Sequence, residues 1–241
     1  MHCLDVSLPS PAENLACDEA LLESCGAGVG AGPEVLRFWE PVQPLVVVGY
    51  ANRVRAEVNL PACEADGVPV LRRISGGGAV LLACGCLSYA VVLRTAATGP
   101  RASIAGTNAL VLERHRRVLE RLLGLPVTRE GNTDLAVAGR KVSGNAQRRK
   151  QQAVLFHGTF LLSLEREYLD RYLLYPGRAP AYRAGRSHAD FLGDLPLGPA
   201  ALKHALSAAW RAETPLDNWP REETARLAAV RYTRREWNLR F

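Results

Sequence analysis

The run Arg72-Arg-Ile-Ser-Gly-Gly-Gly-Ala79 places two guanidinium groups just before three consecutive glycines. Backbone without side chains lets a ligand approach the main chain closely, and successive N–H groups can converge on an anion. Arginine matches phosphate or carboxylate through paired N–H donors. The run is neither a P-loop, since no G-K-[ST] follows, nor the G-x-G-x-x-G dinucleotide fingerprint. Anion binding is one reading; a glycine-rich hairpin with incidental arginines is the other.

A second run, Asp134-Leu-Ala-Val-Ala-Gly-Arg-Lys-Val-Ser-Gly-Asn-Ala-Gln-Arg-Arg149, carries Lys141. Ala138-Gly139 can turn a hairpin, which leaves Lys141 on a strand-like stretch ending at Gly144. Of the 30 basic residues only Lys141, Lys150 and Lys203 are lysines. A chain that writes nearly every basic position as arginine keeps an ammonium here, a compact charge able to bridge a carboxylate and a phosphate. The alternative is a solvated strand-end lysine. Other reactive residues are less organised. Cys84 and Cys86 cannot alone supply the four ligands of a structural zinc site, and His2, His115, His188 and His204 lack mutual metal-ligand spacing, so they read as surface or packing. Gln147-Arg-Arg-Lys150 is a short basic run without interleaved aromatics, a solvated face rather than a nucleic-acid site.

These segments need elements to position them. A helix is expected over Pro11–Ser24, then a flexible loop over Gly26–Pro33. Strands are expected at Val35–Trp39, Leu45–Tyr50, Val68–Arg72, Ala79–Leu82, Ser88–Leu93, Asp134–Val137 and Ala153–Leu164. Val111, His115, Val118, Leu119 and Leu122 recur at three and four residues, predicting a helix over Thr107–Leu123 that Gly124 and Pro126 stop. Further helices fit Gly198–Arg211 and Arg221–Val230. Strands dominate the middle without regular βαβ alternation, which predicts an α+β fold with a central mixed or antiparallel sheet flanked by helices.

Composition sets the outer bounds. At 241 residues, 48% hydrophobic and 22% charged, the chain can bury a large core and is not disordered. Its longest apolar runs, Leu45–Val48 and Ala79–Cys84, are far short of a membrane-spanning helix. The first residues show no secretory pattern, and six cysteines without framework spacing suit a reducing, cytoplasmic setting. The net charge of +6 fits an anionic substrate or an acidic partner and by itself decides neither.

Arg72–Val80, then GRKVSGNAQRR about sixty residues later, then Phe156-His-Gly-Thr-Phe160, resemble the lipoate-protein ligase family of the biotin/lipoyl protein ligase superfamily. Ala181–Phe191 and Tyr232–Phe241 also resemble ligase segments, so the likeness runs in order from about Asn14 to the C-terminus. The resemblance implies that superfamily's catalytic-domain fold, in a single domain over 1–241 without the accessory C-terminal domain of larger ligases. It implies an ATP- and magnesium-dependent reaction in which lipoate or octanoate becomes acyl-AMP and is passed to a lysine of an apo lipoyl domain. The acceptor would belong to a 2-oxoacid dehydrogenase complex or be the glycine cleavage H protein. Carried over by position, Arg73 with Gly76, Gly77, Gly78, Ala79, Val80 and Leu81 would hold the acyl-adenylate. Lys141 would be catalytic and touch both acyl carbonyl and phosphate. Asn132 and Asp134 would lie near the nucleotide, Asp134 with magnesium. His157 would lie by the lipoate as a structural rather than a basic group. The acyl chain would take an apolar slot among Val46–Val48 and Ser88–Leu93.

The likeness has gaps. Leu81-Leu-Ala-Cys-Gly-Cys-Leu87 stands where ligases commonly carry a His-Asp pair. Without the accessory domain, activation would need a separate partner protein, or the chain would only transfer preformed lipoyl-AMP. Octanoyltransferases of the superfamily use a cysteine about where Pro126–Gly131 lie, and no cysteine follows Cys86. A thioester route would fall to Cys84 or Cys86, with Arg72 or Arg73 as the electropositive neighbour. A third reading is a non-catalytic lipoyl-domain-binding protein. Neither a nucleic acid nor a membrane is expected as partner.

Overall fold

The computed structural model describes residues 1–28 and 30–241; Val29, inside the expected Gly26–Pro33 loop, lies outside the described residues. In chain order the strands are β1 (His2–Asp5), β2 (Val35–Trp39), β3 (Leu45–Val48), β4 (Val70–Arg72), β5 (Val80–Leu82), β6 (Cys86–Arg94), β7 (Val127–Glu130), β8 (Asp134–Val137), β9 (Arg140–Arg149), β10 (Ala153–Leu161) and β11 (Thr214–Pro215). The helices are α1 (Pro11–Cys25), α2 (Val54–Glu57), α3 (Leu60–Ala65), α4 (Ile104–Leu123), α5 (Glu167–Tyr172), α6 (His188–Phe191), α7 (Pro199–Trp210), α8 (Arg221–Leu227) and α9 (Arg235–Asn238). Among the described residues no helix is long and apolar enough to cross a membrane.

The main sheet runs β11-β1-β2-β6-β10-β9-β8-β7 and a small one runs β4-β3-β5. Parallel pairing of β1 with β2 and β11, against antiparallel pairing from β2 through to β7, gives the mixed sheet the sequence predicts. Period-two alternation sorts the central strands. From β2, Val35 and Trp39 join the α1 side, and Leu36 and Phe38 join α4 and α7 on the other. Both faces are therefore covered, which is why β2 and β6 read as nearly unbroken apolar runs.

The ends of α4 follow local chemistry. Ser103 Oγ accepts from Gly106 N at 3.0 Å, and Gly124 closes the helix at φ 66°. His115 on its buried face accepts from Trp210 Nε1 at 2.9 Å, and burial pushes its pKa down to about 3, so it packs as a neutral ring. Ala138 (φ 48°) and Gly139 (φ 72°) make the hairpin between β8 and β9. β9 continues to Arg149 instead of stopping at Gly144, because β10 pairs with it from Ser143 to Arg149. Gln147–Arg149 thus form a strand end rather than a separate basic run. α8 stops at Leu227 and passes into a π-turn over Ala228–Tyr232. β1, β7 and β11 carry too little apolar patterning to be read locally; their neighbours in the sheet define them.

Arg37 is the exception in β2, a fully buried guanidinium. It donates to Asp18 Oδ1 at 2.5 Å, to Asn14 Oδ1 at 2.7 Å and to the Asn14 carbonyl at 2.9 Å, tying β2 to α1. Burial works against the Asp18 carboxylate, but Arg37 and then His157 outweigh it and hold its pKa below the ordinary value. Asp18→Ala would leave this guanidinium without its counter-charge, and urea unfolding should report a loss of about 3–5 kcal/mol. In the wild type, the Asp18 contribution should be complete above about pH 4 and decline as pH falls below it.

Candidate active site

A cavity of about 490 Å³ opens on the α1 side of the sheet, bounded by the glycine run, the starts of β8 and β9, and a segment from 174 to 192 that arches over it. Leu15, Trp39, Val47, Leu82, Leu161 and Leu164 give it an apolar portion. Of the slot expected at Val46–Val48 and Ser88–Leu93, only Val47, Ser88 and Tyr89 line the wall. Val46 and Val48 point to the opposite face of β3 and pack with Val54 and Cys63.

Lys141 enters the cavity one residue into β9. Its Nζ lies 2.9 Å from Asp134 Oδ1, and Tyr182 Oη donates to Asp134 Oδ2 at 2.8 Å. Burial and the Asp134 charge raise the Tyr182 pKa, keeping that phenol a donor. The register shift between Leu135 and Ala136 sets Lys141 opposite Ala136, and the Lys141 carbonyl accepts from Gly193 N at 2.8 Å. Beside it, Tyr89 Oη donates to Asn145 Oδ1 at 2.5 Å while Asn145 Nδ2 donates to the Thr133 carbonyl at 2.7 Å. Asn132 and Thr133 complete that wall.

The two arginines of the glycine run part company. Arg73 donates through Nη2 to the carbonyls of Gly76 (2.8 Å) and Gly78 (2.9 Å), and through Nε to Ser75 Oγ (3.1 Å). Burial lowers its pKa to about 10, opposed by Glu57. Glu57 Oε2 accepts from Ala79 N at 2.6 Å. The loop carbonyls therefore face Arg73 and one N–H is already bonded, so the run is a clamped turn more than an open nest. Gly77, Gly78, Ala79, Val80 and Leu81 line the cavity; Gly76, at the start of the turn, does not. Arg72, reckoned above as an anion ligand or a thiol's neighbour, is fully buried. It donates to the carbonyls of Gly49, Tyr50, Asn52, Trp237 and Arg240, bracing the loop from behind.

Behind the loop, Ser75 Oγ lies 2.6 Å from His157 Nε2, and His157 Nδ1 lies 3.1 Å from Asp18 Oδ2. Because Arg73 donates to Ser75, the hydroxyl is free to donate to Nε2, and Nδ1–H donates to Asp18; we assign that tautomer from the network. Ser75 is 1% exposed and lies behind the cavity wall, so the trio positions Arg73 and is not a nucleophilic triad.

Asp134 was expected near magnesium, but its two oxygens are engaged by Lys141 and Tyr182. Among the described residues no three His, Cys, Asp or Glu side chains group to hold a metal. These residues do not fit a protein-built magnesium site, and Asp134 is read from its contacts as the partner of Lys141. Cys84 is exposed and Cys86 buried with its thiol pushed up to about 11 by burial; neither lines the cavity. Sequence reasoning missed His188, Asp18, Glu57 and Arg183 as wall residues, and Tyr182 as the donor to Asp134. The Ala181–Phe191 segment was the available signal for those on the arch.

A sequence profile described as the lipoyl protein ligase A/B catalytic domain matches residues 10–190. An Aeropyrum pernix protein described as a lipoate-protein ligase A is 37% identical over 166 residues, covering 68% of this chain and 59% of that protein's length. An octanoyltransferase LipM of Carboxydothermus hydrogenoformans is 31% identical over a gapped alignment of 270 positions that covers 96% of this chain and 96% of that protein. A crystal structure of lipoate-protein ligase A bound with ATP has a TM-score of 0.83 at 23% identity, with 99% of both chains covered.

A Cβ at Gly144 would sit 2.7 Å from Lys141 Cε and 2.8 Å from its Nζ. Gly144→Ala should therefore move the ammonium without disturbing the core. Its melting temperature should match that of the wild type within the error of a thermal scan, while turnover at this site falls about 100-fold.

Proposed function

The chain belongs to the lipoyl protein ligase A/B catalytic-domain family, and we propose that within it this protein is an ATP-dependent lipoate-protein ligase. One observation carries the reading: an ammonium, Lys141, paired with Asp134 in a largely apolar cavity whose described lining contains no cysteine. Adenylation needs a fixed cation between two oxyanions and no acyl-enzyme thiol. The apolar portion around Leu15, Trp39 and Val47 suits a fatty chain.

In the first step a carboxylate oxygen of lipoate or octanoate attacks the α-phosphorus of ATP, and the bond to pyrophosphate breaks. In the second the ε-amine of an acceptor lysine attacks the acyl carbonyl, the C–O bond to AMP breaks, and the amine loses a proton. Both steps place developing negative charge beside Lys141, whose position Asp134 and Tyr182 fix in advance, so little reorganisation is needed as charge appears. Arg73 keeps the glycine run in shape against the adenylate, and His157 holds Arg73 through Ser75. Asn132 and Thr133 flank the nucleotide end. Magnesium would neutralise phosphate charge and would arrive with the nucleotide, since such ions are held largely by substrate phosphates. The acceptor is an apo lipoyl domain, toward which the net charge of +6 would steer an acidic surface.

Similarity to an octanoyltransferase along 96% of both chains favours a second reading, acyl transfer without ATP. A thioester route would need Cys84 or Cys86, and their places away from the cavity weigh against it. Transfer from preformed lipoyl-AMP would use the same residues as the second step above.

Acceptor mass after incubation with an apo lipoyl domain separates these. Lipoate with ATP and magnesium should add one lipoyl group, and octanoyl-carrier protein without ATP should add nothing; modification only in the latter case would overturn the ligase reading. Lys141→Ala should abolish both ATP-dependent adenylation and transfer from synthetic lipoyl-AMP with its melting temperature unchanged. Cys84→Ser combined with Cys86→Ser should keep ligase activity.

A further inference from the structure

The cations of the cavity differ in what they already hold. Lys141 is paired with Asp134, and Arg73 is bonded to loop carbonyls beside Glu57. Arg183, which the likeness to ligases left without a role, lines the same cavity from the arch. It is 4% exposed, and its Nη2 is enclosed with no hydrogen-bond partner. Its Nε donates to the Arg186 carbonyl at 2.9 Å, and its guanidinium lies 4.5 Å from the Tyr175 ring centroid and 5.1 Å from that of Phe191. The plane is thus fixed by two rings and one hydrogen bond, with a donor edge left over. Asp170, an acidic neighbour of Arg183, is itself 3.1 Å from His188 Nδ1.

Leaving an enclosed guanidinium N–H without an acceptor is costly, and an anion in the cavity would remove that cost. We propose that Arg183 receives the phosphates of the nucleotide that depart as pyrophosphate. This rests on the ligase reading above. A fatty carboxylate brings one negative charge, which Lys141 can meet. A nucleoside triphosphate brings several, and Arg183, enclosed and with Nη2 unpartnered, is a cation of the wall placed to meet them. Arg178, on the same stretch of the arch, also lines the cavity. Carboxylate and phosphate would both satisfy the free donor edge, so the test must separate them.

The experiment titrates wild type, Arg183→Gln and Arg183→Lys with a non-hydrolysable ATP analogue, with inorganic pyrophosphate and with lipoate, by calorimetry, and measures acyl transfer from synthetic lipoyl-AMP. Arg183→Gln should weaken the ATP analogue and pyrophosphate about tenfold or more. Lipoate affinity should be unchanged, transfer from lipoyl-AMP should stay within about twofold, and Arg183→Lys should recover part of the loss. Three results would each overturn the assignment. The first is unchanged affinity for both phosphate probes. The second is a loss confined to lipoate, which would make Arg183 the carboxylate's partner. The third is an equal loss of every activity with a lowered melting temperature, which would make it structural. If the wild type binds pyrophosphate and transfers lipoyl-AMP but makes no adenylate from ATP, the ligase reading falls, while the pyrophosphate titration still decides for or against Arg183.

Discussion

A guanidinium inside a protein must be met by acceptors, and the way Arg37 is met organises much of this molecule. Its Nη atoms draw in Asn14 and Asp18 from α1, which fixes the helix against β2 in register and rotation. Asp18 has a second oxygen, and that oxygen orients His157 on β10. His157 in turn holds Ser75, Ser75 is held by Arg73, and Arg73 clamps the carbonyls of the glycine run. Each group fixes the direction of the next bond, so the shape of a surface loop is set by a charge pair in the core. Such a chain is costly to leave incomplete and rigid when complete.

The opposite wall works on a different principle. There an ammonium and a carboxylate are held close in a partly enclosed cavity, and a phenol on the arch keeps the carboxylate turned toward the lysine. A cation held in this way is suited to charge that grows and moves beside it, since it does not have to be repositioned. The glycines nearby serve the same end: Gly144 leaves space for the lysine side chain, and Gly158 leaves space for the Asn145 amide.

Much of this was legible in the residues. The ends of α4 were written in Gly124 and in the spacing of Val111, His115, Val118 and Leu119, and the scarcity of lysine singled out Lys141. What could not be read locally came from the alternation of strands. Arg72 and Arg73 are neighbours at the end of β4, so their side chains leave on opposite sides, and only Arg73 reaches the cavity. The same alternation turns Val46 and Val48 away while Val47 faces in. Asp18 was hidden for another reason: α1 is buried almost all round, so its polar residues do not mark a solvent face. His188 and Arg183 sit on an arch with little regular structure, where periodicity carries no information about direction.

The contacts of the arch have a consequence for how the site opens. Tyr182 bonds Asp134, Arg186 bonds the Gly139 carbonyl in the hairpin, and Gly193, the residue that follows the arch, bonds the Lys141 carbonyl. The cover of the cavity and the mount of its lysine are therefore one mechanical part. Any displacement of Tyr182 from Asp134 would free the carboxylate to turn and alter the field at the ammonium. The cover of the cavity and the electrostatics of its lysine are thus coupled through one hydrogen bond.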